Sequence, residues 1–306
     1  MSTTERRVAD ATSATSARRT ERIQSVWSGY GELARYALSG GEAETVVVKH
    51  VTPPAGSGFS HRRKLRSYEV EAAWYGDWAT DLPTGCRTAR SHLAERFDGG
   101  WLFVLEDLDA AGFDERTRSP RGAKRRACLT WLATFHAHHL GRHPDGLWPV
   151  GTYWHLGTRP DELAAMAPGP LRDAAARIDE RLSGARFMTL VHGDAKPANF
   201  CFRPDGEAVA AVDFQYVGGG CGMKDVAYFL QGEGDHGPAL DVYFTALRAA
   251  LPDDVDADAL EAEWRALHPF AVADFQRFLA GWAPSWRSAS PYEQRLTDAV
   301  LAEVGA

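Results

Sequence analysis

The sequence predicts an α+β fold in two lobes: a small antiparallel β-sheet lobe carrying one helix, then a larger, mainly helical lobe. Three observations predict it. Strand-like runs separated by Gly and Pro turns dominate up to about residue 108. Helical spacing takes over beyond that point. One strand–turn–strand unit then returns late in the chain, within Thr189–Tyr216. A chain of 306 residues can give both lobes a sizeable core.

Composition excludes several classes. Hydrophobic residues make up 44% and charged residues 25%, ordinary for a soluble globular protein. The net charge of −7 argues against a nucleic-acid backbone as partner. No apolar run approaches the roughly 18 residues of a membrane span. Cys86, Cys128, Cys201 and Cys221 lie far apart without a C-x-x-C, so reduced thiols in a cytoplasm are expected. Charge is unevenly spread: residues 1–66 hold 11 Lys/Arg against 6 Asp/Glu, and residues 231–306 hold 5 Arg against 13 Asp/Glu. Either these are solvated helix faces, or the front favours phosphate and the back favours cations.

Residues 1–18 are rich in Ser, Thr, Ala and Arg and lack the apolar core of a secretory signal, which predicts a disordered tail. Residues 19–108 form the first lobe and 109–306 the second. Ser28-Gly29-Tyr30-Gly31 separates two strand-like runs. Gly29 and Gly31 are either a hairpin turn or a backbone cradle for phosphate. The β-branched run Val46–Val48 carries Lys49 at its end. His61 to about Thr80 has helical spacing, with Leu65, Tyr68, Ala72 and Tyr75 on one face and Glu69 and Glu71 nearby. Two strands around Asp98-Gly99-Gly100 lead into Glu106–Leu108, where composition turns helical.

A helix over 121–140 carries His136, His138 and His139. No other Cys/His cluster stands near in sequence, so packing or hydrogen bonding is expected of His136 rather than metal ligation. An aromatic-dense loop, Trp148–Leu163, precedes a helix over 170–182. Asp225 follows a glycine-rich loop and opens another helix, where an acid suits the dipole. The last third is helical. Trp264, Asp274, Phe275 and Trp282 either pack in the core or line an aromatic, acidic pocket of the kind that suits ammonium groups.

The stretch TLVHGDAKPANFCFRPDGEAVAAVDFQY, residues 189–216, organises the rest. His192, Asp194 and Asn199 stand at fixed spacing. Phe200–Arg203, the turn Pro204-Asp205-Gly206 and Ala208–Val212 read as a hairpin that returns Asp213 toward Asp194 and Asn199. Two carboxylates and an amide at the ends of adjacent strands suit metal–phosphate chemistry.

The order Gly29/Gly31, Lys49, Glu71, Glu106–Leu108, His192/Asp194/Asn199, Asp213 resembles the kinase-like small-molecule phosphotransferases, which include aminoglycoside phosphotransferases and choline kinases. The resemblance covers about residues 20–285. V-H-G-D at 191–194, D-F-Q at 213–215 and D-V-A-Y-F-L at 225–230 look most like the ecdysteroid-kinase-like branch. The resemblance implies a bilobal, protein-kinase-like fold that uses ATP and Mg²⁺ to phosphorylate a hydroxyl of a small molecule. The Gly29–Gly31 turn would cover the triphosphate. Lys49, held by Glu71 with Glu69 as second choice, would contact the α/β-phosphates. The backbone of Glu106–Leu108 would meet an adenine edge. Asn199 and Asp213 would bind the metal, and Asp194 would take the acceptor's proton. His192 and Asp225 would support the loop. Two positions depart from relatives. Ala195-Lys196 follows the catalytic Asp, so Lys196 is expected at the γ-phosphate, and Gln215 replaces the usual Gly. A cationic, amine-bearing acceptor fits the acidic back half. The alternative is a non-catalytic nucleotide-binding or scaffold protein.

Overall fold

The β-branched alternation of Thr45–Val51 builds the first sheet. Val46 and Val48 point to one face and Lys49 to the other, as the period of two requires. In the computed structural model, which describes residues 1–26, 29–284 and 289–305, this segment is the central strand of five. All pairs are antiparallel, in the order β1 (Ser16–Ser25), β2 (Gly31–Ser39), β3 (Thr45–Val51), β6 (Gly100–Glu106) and β5 (Ser91–Phe97). Ala34, Tyr36, Val46, Val48, Leu102 and Val104 form the core on one face.

Residues 1–18, expected as a disordered tail, are ordered. Thr3–Ala11 is a helix, α1, and β1 begins at Ser16. A capping box explains the start: the Glu5 N–H donates to Ser2 Oγ at 3.1 Å, and the Ser2 N–H donates to Glu5 Oε2 at 2.8 Å. Val8 and Ala9 then bury against the sheet, completing its core. Composition hides this because only three apolar side chains, Val8, Ala9 and the partly buried Ala11, do the docking.

On the opposite face lies α2 (Phe59–Ala73), continued by a π-helical turn at Trp74–Trp78. Its buried side chains include Tyr68, Glu71, Trp74 and Tyr75, whereas Leu65 and Ala72, expected on the same face as Tyr68 and Tyr75, are only partly buried. A three-stranded sheet joins β4 (Arg87–Thr88), β9 (Val209–Ala211) and β8 (Phe200–Phe202).

The chain divides into two units. The first holds Met1–Leu82, Arg87–Arg116 and Phe200–Val212; the second holds Pro83–Cys86, Thr117–Asn199 and the residues from Asp213 on. The boundary expected at 108 therefore falls at Arg116, and the late hairpin belongs to the first unit. A backbone pair is the reason: the Glu115 N–H donates to the Phe202 carbonyl at 3.1 Å, and the Phe202 N–H returns the bond at 2.9 Å.

The second unit is helical around a short two-stranded ladder, β7 (Thr189–Val191) with β10 (Gly218–Gly220). Its helices are α3 (Gly122–His138), α4 (Pro160–Ala165), α5 (Pro170–Asp173), α6 (Ala175–Ser183), α7 (Met223–Phe229), α8 (Gly237–Ala250), α9 (Ala257–Trp282) and α10 (Pro291–Glu303). The helix predicted over 170–182 is thus two, separated at Ala174. The central α9 packs on α6, α7 and α10, and α3 packs on α8. Among the described residues no helix is long and apolar enough to cross a membrane.

Docking of α1 is open to test. Val8→Ala removes two buried methyl groups and should destabilise the protein by about 2 kcal/mol. A urea melt would show this as a lower midpoint; an unchanged midpoint would mean that α1 contributes nothing.

Candidate active site

β7 delivers the chain into His192–Asn199, which turns sharply at Gly193. Gly193 has φ +80°, and a Cβ there would lie 2.0 Å from the Tyr216 carbonyl oxygen, so only glycine fits. The His192 ring closes the turn by accepting the Asp194 N–H at Nδ1, 3.2 Å away. A short 3₁₀ turn, Pro197–Asn199, then brings Asn199 back over Asp194. The Asn199 amide nitrogen donates both to the Asp194 carbonyl (2.8 Å) and to its Oδ2 (2.9 Å). Lys196 Nζ donates to the same Oδ2 at 2.6 Å.

Asp194 is therefore held by one oxygen. Its other oxygen, Oδ1, is buried and accepts no hydrogen bond. Burial pushes the carboxyl's pKa up; Lys196 and Asn199 pull it down, and the charge of Asp213 pushes it up again. Burial alone would lower the Lys196 pKa, but the carboxylates of Asp194 and Asp213 raise it. Lys196 thus bonds the Asp194 carboxylate directly, a contact the spacing alone does not show.

Asp213 adopts φ +70°, an uncommon conformation for a residue other than glycine. Its charge acts on Asp194 and Lys196. The donor set fits Mg²⁺. With its nitrogen engaged by Asp194, the Asn199 amide presents its oxygen, and Asp213 adds a carboxylate; hard oxygen ligands beside a second buried carboxylate suit a hard divalent cation.

Asp225, at the start of α7, braces the turn from below. It is fully buried, and it accepts the His192 N–H at 2.6 Å and the Gly193 N–H at 2.9 Å. A further brace comes from the aromatic-dense loop. The Thr152 N–H donates to Tyr216 and the Tyr153 N–H to Gly193, both to carbonyls, at 3.2 and 3.1 Å. The Trp148 indole donates to the Gln215 carbonyl at 2.8 Å. Thr152 has φ +90°, a strained state for a β-branched residue. Sequence offered only the aromatic density of this segment, not its role as a template.

In the first unit, Lys49 Nζ donates to both carboxylate oxygens of Glu71, at 2.9 and 2.7 Å. The Glu71 side chain is 2% exposed and that of Lys49 11%. Glu69, the second choice, is partly exposed and pairs with Arg96 at 2.6 Å. Gly31 is required structurally: a Cβ there would lie 2.0 Å from the His50 carbonyl oxygen. Gly29 has φ +74° and open space around it; Ser28 lies outside the described residues. Glu106 is tied to Arg87 at 2.6 Å and to the Arg90 N–H at 3.0 Å. Leu108 is buried, and its carbonyl accepts the Phe113 N–H at 2.8 Å.

The four residues proposed for a cationic pocket do not form one. Asp274 is buried and already paired with the buried Arg277, whose Nε and Nη2 donate to Oδ1 at 2.9 and 2.8 Å. Its charge is spent within its own helix, and the i, i+3 spacing of Asp274 and Arg277 was the signal. Trp264 is buried with its indole donating to the Phe187 carbonyl at 3.0 Å. Phe275 packs with Trp154 and Phe278, while Trp282 is 44% exposed and stacks on Phe278. The aromatics near Asp194 are instead Tyr153 and Tyr228, whose phenols are raised by burial and by the Asp194 charge.

No protein-family model matches the chain, and no curated protein matches it in sequence. Solved structures do match over nearly its whole length. A protein described as a fructosamine-3-kinase, from Thermobifida fusca, is similar at a TM-score of 0.53 and 18% identity, covering 99% of each chain. A microcompartment-associated aminopropanol kinase gives 0.51 and 15%, over 94% of this chain and 89% of its own. A Plasmodium vivax ethanolamine kinase gives 0.51 and 9%, over 98% and 84%. The chain has the bilobal fold of the kinase-like small-molecule phosphotransferases.

Proposed function

We propose that the chain is an ATP- and Mg²⁺-dependent phosphotransferase that moves the γ-phosphate to a hydroxyl of a small molecule. One observation carries this reading: Asp194 is held through Oδ2 by Lys196 and Asn199, while its buried Oδ1 accepts no bond. A fixed carboxylate with one oxygen open is what orienting an acceptor hydroxyl requires. Oδ1 takes the hydroxyl's proton as the new P–O bond forms and the bond between the γ-phosphorus and the β–γ bridging oxygen breaks, with ADP as the leaving group. Burial and Asp213 make this carboxylate a better base than an exposed one.

The remaining residues position and neutralise. Lys49, fixed by two bonds to Glu71, contacts the α/β-phosphates. Asn199 and Asp213 would hold Mg²⁺, which would supply positive charge against the phosphates. Lys196 keeps the Asp194 carboxylate oriented and contributes positive charge near the transferring group. The small-molecule kinases among the structural neighbours support the reaction class, and three of them are named for amine-bearing acceptors. An amine-bearing acceptor is accordingly the reading we favour, with Tyr153 and Tyr228 rather than Asp274 beside it. A non-catalytic scaffold would leave the open Oδ1 and the backbone strain at Asp213 without a purpose.

Asp194→Ala should retain Mg·ATP binding and lower turnover by about 10² or more. The measurement is ADP release across a panel of amino sugars, amino alcohols, sterols and peptide antibiotics; near-normal turnover in the variant would sink the assignment. Asp213→Ala should lose Mg²⁺-dependent nucleotide binding. Calorimetric titration with ATP, with and without Mg²⁺, checks this, and an unchanged Mg·ATP affinity would count against the metal role.

A further inference from the structure

The central helix α9 meets its neighbours tightly at one point and loosely beside it. A Cβ on Gly281 would lie 1.9 Å from the Glu162 carbonyl oxygen, so α4 presses directly on the helix there. Next to that contact, the segment from Met166 to Arg172, α9 and α10 border a cavity of about 590 Å³. Its walls all belong to the second unit. The volume falls within the roughly 300–1,000 Å³ typical of small-molecule sites.

The walls are mostly apolar: Met166, Pro168, Pro170, Leu171, Ala280 and Leu301. The polar side chains among them are not equivalent. On α10, Thr297 Oγ1 donates to the Glu293 carbonyl at 2.9 Å, and Gln294 Nε2 donates to Asp298 Oδ1 at 2.8 Å. Arg172 Nη1 donates to the Met166 carbonyl at 2.9 Å, which ties together the two ends of one wall. Gln276, on α9, is the exception. It is 3% exposed, and neither its amide nitrogen nor its amide oxygen has a hydrogen-bond partner among the described residues. Leaving a buried primary amide unpaired is destabilising, and an apolar side chain of the same shape would avoid that cost. We propose that this cavity binds an uncharged, largely apolar small molecule bearing a carboxamide or lactam, anchored on Gln276.

The ligand class follows from the donor and acceptor inventory. A primary amide offers an N–H donor beside a carbonyl acceptor. A carboxamide or lactam offers the same pair in reverse, so two parallel hydrogen bonds satisfy both partners at once. A carboxylate would accept from Nε2 and leave Oε1 without a donor; an ammonium group would do the converse. The apolar walls suit an aromatic or aliphatic ring as the body of the ligand. The cavity is separate from the turn that carries Asp194. Gln276 and Ala280 lie one turn apart on one side of α9, whereas Phe275 and Phe278 pack with Trp154 on another, the side against which Tyr153 and Tyr228 pack. Binding here is therefore independent of the phosphotransferase reading.

The probes are benzamide, naphthamide and quinolinone, with naphthoate as the ring-matched anion, each titrated calorimetrically into the full chain. Saturable binding of one molecule per chain is expected for at least one of the three amides. Gln276→Met keeps the length of the side chain and removes both polar atoms. It should weaken that binding about 10- to 100-fold. It should also raise the thermal midpoint of the ligand-free protein by about 2–4 °C, because the unpaired amide is gone. Ala280→Phe fills the cavity without altering Gln276 and should abolish binding with the far-UV circular dichroism unchanged. Absence of binding by all three amides would overturn the proposal, and so would equal affinity in wild type and Gln276→Met. Tighter binding of naphthoate than of naphthamide would move the anchor to Arg172 and overturn the choice of an uncharged ligand. A lower midpoint in Gln276→Met would show that the amide is already satisfied in the ligand-free protein, and would remove the reason for a ligand. None of these measurements uses turnover: failure here leaves the phosphotransferase reading standing, and failure of ADP release leaves this site standing.

Discussion

A fully buried carboxylate, Asp225, governs the second unit. Removing a charge from water costs several kcal/mol unless every lone pair finds a donor. Here the donors include the two backbone amides of His192 and Gly193, at the start of the turn that carries Asp194, at 2.6 and 2.9 Å. Neither partner is replaceable by solvent, since all three residues are inaccessible to it or nearly so. The turn keeps its shape because a different shape would strand a buried charge. Asp194 and Asn199 inherit their positions from that constraint.

The backbone around this carboxylate is unusually demanding. Gly193, Asp213 and Thr152 all adopt positive φ, and the Gly193 turn fits against the Tyr216 carbonyl with no room for a side chain. Strain at a non-glycine residue of this kind costs about 1–3 kcal/mol and persists only where neighbours over-determine it. The Trp148–Tyr153 segment supplies that over-determination, bonding the backbone that follows Asp213, at Gln215, Tyr216 and Val217, and that of Gly193. Local propensity loses to tertiary pairing here, as expected where geometry serves chemistry.

Much of the site was legible because its residues obey fixed spacings. The pattern of His192, Asp194, Asn199 and Asp213 is local, and the Asp205-Gly206 turn forces the hairpin. Glu71 was distinguishable from Glu69 by its place on the buried side of α2, since helical periodicity separates the two by about 200°. Other features depend on contacts distant in sequence. Nothing near Glu115 announces its pairing with Phe202, which moves the late hairpin into the first unit. Val8 docks on a sheet whose strands lie many residues ahead. The strain at Thr152 runs against its own β-branched preference. The acidic pocket fails for a local reason: Arg277, three residues after Asp274, takes up its carboxylate, a pairing that the density of aromatic and acidic residues along α9 does not show.

The left-handed backbone at position 213 also narrows what substitution can place there. Gly, Asn and Asp tolerate that conformation; β-branched and bulky side chains do not. Of the tolerant three, only Asp offers an anionic oxygen. Under the proposed metal role, two independent filters, backbone geometry and cation chemistry, converge on one residue type. The same overlap means that Asn is the substitution that changes charge while sparing the backbone, whereas Ala at this position changes both at once.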